Sequence, residues 1–234
     1  MLKNTTPDQF ARTPQTKDVL SKIRMDIIMG ELAPESYIVE SQIAADLGVS
    51  RGPIRAALQN LQQEGLVRSL PNGRTVVVGF SLKAAADTFD FRLMLEHKAL
   101  ELVIANDMVD FFPLFSVIEQ IRETDARFRD GKESIDDLVQ EISAADIQFH
   151  RSIMIMSENV PLLQAWNLIA NTMHTALNIS NSTHYPSFHD YFREHKSFSD
   201  LIIQRNPEVL ETIVEHITKA KTLVIDRLKM RKLT

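Results

Sequence analysis

Hydrophobic spacing divides this chain into two regimes. Up to about residue 80, short helical periods give way to β-like runs; beyond it only the helical period remains. Lys17–Gly30 reads as a helix with Val19, Leu20, Ile23 and Ile27 facing inward, and Leu32-Ala33-Pro34 leads out of it. Glu40–Leu47 is a short helix with Ile43, Ala44 and Leu47 on one face. Gly48-Val49-Ser50 makes a tight turn, in which glycine takes the left-handed backbone and Ser50 can cap the next helix. That helix carries Pro53 in its first turn, where a missing N–H costs little, and stops at Gly65. Leu66–Leu70 and Thr75–Val78 read as strands around a Pro71-Asn72-Gly73 tip. After Gly79–Leu82 come six helical stretches: to about Asn106 from a Ser81 cap, Val109–Asp130, Ser134–Met156, Val160–Ser180, Ser187–Arg205 and Pro207–Lys229.

The helix after Gly48 has unequal faces. Ile54, Leu58 and Leu61 form a packing stripe, while Arg51, Arg55, Gln59 and Gln62 form a neighbouring stripe with no apolar member. Arginine in the first turns opposes the helix dipole, so the placement does not serve helix stability. It suits a helix whose N-terminal end enters the DNA major groove. A solvated face is the plainer reading, but the hairpin that follows, with Arg68 and Arg74 flanking its tip, makes a wing against duplex DNA. The expected fold is mainly α: a winged helix-turn-helix over residues 1–78, with 1–16 a flexible arm, a linker at 79–82, and an antiparallel all-helical bundle over 83–234.

In the bundle, polar residues stand where apolar ones are expected. The inward stripes read Val139, Ile142, Asp146, Phe149/His150, Ile153; then Phe188, Tyr191/Phe192, His195, Phe198, Ile202; then Val209, Ile213, His216/Ile217, Ala220, Val224. Asp146 and His150, four apart, share a face. A buried carboxylate is costly unless paired or coordinated, and a lone histidine on such a face is usually a satisfied core residue. Three helices doing this together favour coordination. One carboxylate and three imidazoles suit a borderline divalent ion such as Zn²⁺, Ni²⁺ or Mn²⁺, with positions left for water or an organic acid. Arg92 is open to two readings: a grip on an effector carboxylate, or an ion pair with Glu96 at helical spacing. Asn167, Asn171 and His174 are candidate pocket lining; Trp166, Met154 and Met156 read as core, and His97, His184 and His189 as surface or loop.

Composition changes this picture little, charge somewhat more. With no cysteine there is no disulfide framework or thiolate site. No apolar run approaches a membrane span, and the first residues lack a signal-peptide core, so the cytoplasm is expected. The net charge of −5 argues against a nucleic-acid partner until the chain is split. Residues 1–78 hold nine Lys/Arg and eight Asp/Glu, net +1; the remainder holds 17 and 23, net −6. DNA binding must therefore rest on a local cluster of Lys22, Arg24, Arg51, Arg55, Arg68 and Arg74, and salt should weaken it strongly.

Residues 18–78 resemble the winged helix-turn-helix domain of the GntR family of bacterial transcription regulators. The resemblance lies in Ile28-Met29-Gly30-Glu31-Leu32-Ala33-Pro34, Leu47-Gly48-Val49-Ser50-Arg51, Pro53-Ile54-Arg55, Leu61, Glu64-Gly65-Leu66-Val67 and Pro71-Asn72-Gly73. It implies that Arg51 and Arg55 contact operator bases and phosphates, that Gly52 and the Asn72-Gly73 tip approach DNA, and that Arg24 lies near the phosphates; Ser50 completes the set. Ser41 stands where many members carry arginine. Residues 82–229 resemble the FCD ligand-binding domain of the FadR branch, through Arg92-x-x-x-Glu96, Asp146-x-x-x-His150, Glu158-Asn159-x-x-Leu162, Glu194-His195 and Glu215-His216. This implies that Asp146, His150, His195 and His216 bind one metal ion with a small carboxylate effector against it. The expected function is a homodimeric, effector-controlled DNA-binding regulator and not an enzyme. The rivals are a metal-dependent enzyme acting on small acids, disfavoured by the absence of HExxH and of an evident general base, and an architectural DNA-binding dimer without effector.

Overall fold

The structure is a computed structural model and describes residues 14–131, 135–181 and 188–230. Its contacts divide the chain into two compact units at the Ser81–Leu82 step.

The first unit runs α1 (Pro14–Ile28), β1 (Tyr37–Ile38), α2 (Glu40–Asp46), α3 (Arg51–Gln63), β2 (Val67–Ser69) and β3 (Thr75–Val77). Helix α1 starts three residues earlier than the spacing predicts, at a proline whose missing N–H suits a first turn. The α3 faces divide as expected: Ile54, Leu58 and Leu61 are buried against α1, while Arg51, Arg55, Gln59 and Gln62 are exposed. Gly48 turns the chain between α2 and α3 with φ +64. Ser50 has the extended backbone of an N-cap, yet its side chain makes no capping bond. The third helical position is Pro53, which has no N–H for a serine oxygen to receive.

The sheet has the order β1-β3-β2, antiparallel throughout. Strand β1 escapes sequence reading because two residues cannot show an alternation. Its pairing with β3, Tyr37 opposite Val76 and Ile38 opposite Thr75, completes a three-stranded wing. The exit from β3 is tight: at Gly79, φ +88, a Cβ would come within 2.9 Å of the Pro34 ring.

The second unit is helical: α4 (Leu82–Ala105), α5 (Phe112–Arg129), α6 (Ile135–Met156), α7 (Val160–Asn181), α8 (Phe188–Ile203) and α9 (Val209–Met230). Two starts fall later than predicted. Asp110 accepts the Phe112 N–H in a turn before α5, and Asn206 accepts the Glu208 N–H before α9. Helix α4 packs on α6, α7 and α9, and α5 on α6 and α8. Phe89, Phe149, Trp166, Tyr191 and Phe198 are fully or almost fully buried, one or more from each of α4, α6, α7 and α8. Ser134, His184, Ser187 and the side chains of Val139 and Phe188 lie outside the described residues.

One DNA-facing expectation is overturned. Arg24 is 4% exposed, and its Nε and terminal N–H groups donate to the two Glu64 carboxylate oxygens at 2.7 and 2.6 Å. This fork clamps α1 to the end of α3 and leaves no guanidinium at the surface for phosphate. The pairing spans 40 residues, so no local spacing announces it. Removing one partner of a buried pair strands the other charge. Glu64→Ala is expected to lower the unfolding free energy by about 3 kcal/mol, read from the urea midpoint.

Candidate functional site

Two sets of side chains are built for chemistry, one in each unit. On the first, Arg51, Gly52, Arg55, Asn72 and Gly73 are all exposed, and Ser50 is exposed beside them. Arg55 Nε donates to Glu40 Oε2 at 2.8 Å, which steadies the guanidinium while most of its side chain stays open. Arg68 donates to Glu35 at 2.6 Å, and the Arg74 guanidinium lies 5.3 Å from the Tyr37 ring centroid. Asn72 Oδ1 accepts the Arg74 N–H at 3.1 Å and holds the wing tip. Glu35, Tyr37 and Glu40 were not anticipated. Their partners lie on other elements, and only the angle between those elements brings them together.

In the second unit, Asp146 and His150 from α6, His195 from α8 and His216 from α9 meet. One ligand atom from each lies within 4.8 Å of all the others. His150 and His195 are 0% exposed, Asp146 7% and His216 9%. His150 Nε2 is 3.1 Å from His216 Nε2, and His195 Nε2 is 3.4 Å from Asp146 Oδ1.

The outer edges of the rings fix what those inner atoms are. His150 Nδ1 is 2.6 Å from Glu96 Oε2, His195 Nδ1 is 3.0 Å from the Tyr191 carbonyl, and His216 Nδ1 is 3.1 Å from Glu194 Oε1. Ionised carboxylates and carbonyls only accept, so each Nδ1 carries its proton and donates outward. In the neutral rings every Nε2 then turns a bare lone pair inward. Three lone pairs and a carboxylate facing one another form a donor set that calls for a cation. The His195 Nε2 atom has no hydrogen-bond partner among the described residues, which fits the same demand. Outward bonds of this kind orient metal-binding histidines.

Arg92 makes the Glu96 pair that its spacing suggested. It is 0% exposed, and Nε donates to Glu96 Oε1 at 2.8 Å. Its two terminal nitrogens have no hydrogen-bond partner among the described residues, and one lies 3.8 Å from Asp146 Oδ2. Trp166 is core, as expected, but also donates its indole N–H to Glu96 Oε1 at 2.7 Å. The other lining candidates fare differently. Asn171 is exposed to solvent, which removes it from the interior; the buried stripe of α7 is Trp166, Ala170, Met173 and Leu177, and Asn171 stands one position past it. Asn167 is half-buried and accepts from Arg151 at 3.3 Å, and His174 lies 3.4 Å from Asn178. His189 sits 3.2 Å from the buried Asp125 carboxylate, and His97 3.5 Å from Glu101.

Burial pushes the His150 imidazole down to about 4, with Arg92 adding to the shift and Glu96 and Asp146 resisting it. Burial also lowers His216, against the pull of Glu194. For Glu96, burial would raise the carboxyl, but Arg92, His150 and Trp166 outweigh it and hold it at about 2. Asp146 is likewise held well below the usual carboxylate range: against its burial work His195 and His150 whenever their rings are protonated, and the Arg92 guanidinium. Glu194 is lowered to about 2, chiefly by its bond to His216, with Lys219 assisting against burial.

An exposed pair of arginines at the start of a winged unit's second turn-helix, joined to a helical unit with a converging donor set, describes a DNA-binding transcription regulator. Residues 15–77 match the family described as bacterial regulatory proteins, gntR family, and residues 87–219 match the FCD domain. The chain belongs to the GntR family of transcriptional regulators and carries an FCD domain. The matching families and relatives are regulators, not enzymes. It is 28% identical over 213 residues to the probable D-xylose utilization operon transcriptional repressor of Paenarthrobacter nicotinovorans, covering 91% of this chain and 89% of that one. It is 28% identical over 162 residues to the gluconate operon transcriptional repressor of Bacillus subtilis, covering 69% of this chain and 63% of that one. Among solved structures, Lar, described as controlling expression of the Listeria monocytogenes agr system, shares the fold with TM-score 0.66 at 17% identity, over 92% of this chain and 98% of that one.

The shifts set an expected acid profile for protein stripped of metal. His150 binds its proton near 6.5 unfolded but near 4 folded, so its neutral burial costs stability progressively as pH falls from 6.5 to 4. Glu96 contributes stability that is full above 4.5 and lost as pH falls toward 2. Urea midpoints measured in chelator are therefore expected to fall continuously below pH 6.5 rather than only below 4.5.

Proposed function

We propose that this regulator is a homodimeric operator-binding repressor whose DNA affinity is set by a small carboxylate effector at a divalent metal site. The observation that carries the sensor half is the convergence of three Nε2 lone pairs and the Asp146 carboxylate, each ring held by an outward Nδ1 bond. Asp146, His150, His195 and His216 would hold the ion. Zn²⁺, Ni²⁺ or Mn²⁺ bound there supplies positive charge and open coordination positions for an oxygen ligand. Arg92 would grip the carboxylate with its two unbonded terminal nitrogens, on the Asp146 side of the cluster. Asn167 and His174 remain candidate lining. Two relatives regulate operons named for D-xylose utilization and for gluconate, and gluconate is itself a small hydroxy acid.

Arg51 and Arg55 would read base edges and phosphates, with Gly52 allowing close approach and the Asn72-Gly73 tip meeting the flanking groove. A two-fold dimer would meet a near-palindromic operator. The effector changes operator affinity by no more than its own preference between the two arrangements of the dimer. No helix among the described residues is long and apolar enough to cross a membrane, and the proposed setting is the cytoplasm, where operator DNA lies.

Two outcomes test the halves separately. Arg51→Ala and Arg55→Ala are each expected to abolish specific binding in fluorescence anisotropy, on duplexes selected by wild-type protein from random sequence, with circular dichroism unchanged. Chelated wild-type protein is expected to take up one equivalent of divalent ion by calorimetry and to melt at higher temperature when loaded. His195→Ala is expected to lose both effects. Absence of uptake for Zn²⁺, Ni²⁺ and Mn²⁺ would sink the metal site and favour the architectural reading.

A further inference from the structure

We infer that Glu96 is a positioning residue that holds His150 in its metal-binding tautomer and couples the donor cluster to Arg92 and Trp166. The inference rests on the metal site proposed above and adds its regulation. Glu96 is 0% exposed and receives three N–H groups: His150 Nδ1 on Oε2 at 2.6 Å, and Arg92 Nε and Trp166 Nε1 on Oε1 at 2.8 and 2.7 Å. One carboxylate thereby joins α4, α6 and α7.

The coupling follows from hydrogen-bond chemistry. When His150 Nε2 shares its lone pair, the Nδ1–H becomes a stronger donor and draws Glu96 toward Oε2. The Oε1 bonds to Arg92 and Trp166 then weaken. A loosened Arg92 Nε leaves the guanidinium freer to turn its unbonded terminal nitrogens to an incoming carboxylate. Occupancy of the donor cluster therefore prepares the anion grip, and by linkage an anion on Arg92 favours the occupied cluster. Trp166, the one tryptophan in the chain, reports on this wiring through its indole N–H.

Glu96→Gln separates this role from packing. The amide offers one acceptor oxygen and one NH₂ donor to three N–H groups. Neither the Arg92 Nε–H nor the indole N–H can become an acceptor, whereas His150 can by moving its proton. The NH₂ therefore settles against His150 Nδ1, the proton passes to Nε2, and the lone pair facing Asp146 and His216 is lost. Shape and the two Oε1 bonds survive.

The test uses full-length protein with Zn²⁺ alone. Calorimetry is expected to show Glu96→Gln binding Zn²⁺ roughly 10–100-fold more weakly than wild type. Nitrogen-15 spectra of labelled histidine are expected to show His150 as Nδ1–H in metal-free wild type and Nε2–H in the variant, with Glu96→Asp recovering the Nδ1–H form. The single indole cross-peak of wild type is expected to shift on Zn²⁺ saturation, and that of Glu96→Gln to shift less at equal occupancy. Wild-type affinity with an Nδ1–H His150 in Glu96→Gln overturns the inference while leaving the metal site standing. Wild type that binds none of Zn²⁺, Ni²⁺ or Mn²⁺ overturns both. Should Glu96→Gln fail to fold, the wild-type indole decides: a cross-peak unmoved by bound Zn²⁺ overturns the coupling.

Discussion

Burying a carboxylate and three imidazoles inside a helical unit is costly unless something binds them, and this constraint organises the whole second unit. Part of the cost is met from outside the cluster. Glu96, Glu194 and the Tyr191 carbonyl take one Nδ1 proton each, so no ring loses its outer hydrogen bond on burial. These bonds leave the inner edge without protons. With each Nδ1 donating outward, the Nε2 atoms of His150 and His216, 3.1 Å apart, face each other as lone pairs, an arrangement that an entering cation relieves. The acid-shifted imidazoles show that burial resists the proton. A divalent ion, shared among four donors, answers the same demand without charging each ring separately.

The rim of the cluster is graded. His150 and His195 are sealed among Phe149, Phe198 and Tyr191, while His216 touches solvent slightly and leans on Glu194, itself held by the exposed Lys219. Aromatic walls on the inner side keep the rings from swinging, since each would have to displace a packed neighbour. The polar support is thus softest on the side of α8 and α9 that faces water. Any ligand exchange at a site so built has less packing to disturb there than past Trp166 and Phe89.

Much of this was written in local spacing, and what was missed is long-range. Asp146 and His150 one turn apart, and a histidine mid-stripe in each of two further helices, were legible because a helical face is a sequence pattern. The α3 faces were legible for the same reason. Arg24 was misread because its true partner, Glu64, is 40 residues away, and an arginine near a DNA-binding helix invites an electrostatic reading by default. Glu96 could be paired with Arg92 by spacing, but its bonds to His150 and Trp166 span 54 and 70 residues. Asn171 failed for a geometric reason: one position past an inward stripe is about 100° around the helix, enough to carry a side chain from interior to solvent. The short β1 strand had no periodicity to read.

The two units solve opposite electrostatic problems. On the first, Arg51, Arg55, Arg68 and Arg74 are exposed, and the net charge of +1 over residues 1–78 gives little general attraction to a polyanion. Glu40 and Glu35 hold Arg55 and Arg68 in exposed pairs that contribute little to stability, because water screens them. Such pairs orient a guanidinium without binding it tightly, so a polyanion can compete for it, and salt acts on the carboxylate and phosphate partners alike. In the second unit the charges are sealed, unscreened and mutually dependent, so a change at one atom is felt at its neighbours. Hydrophobic residues of similar volume would make that interior as stable or more so. The polar version differs from such a core in one respect: inward lone pairs are unsatisfied when the cluster is empty and satisfied once a cation enters, so the two states differ in free energy, and on the function proposed above a ligand would choose between them.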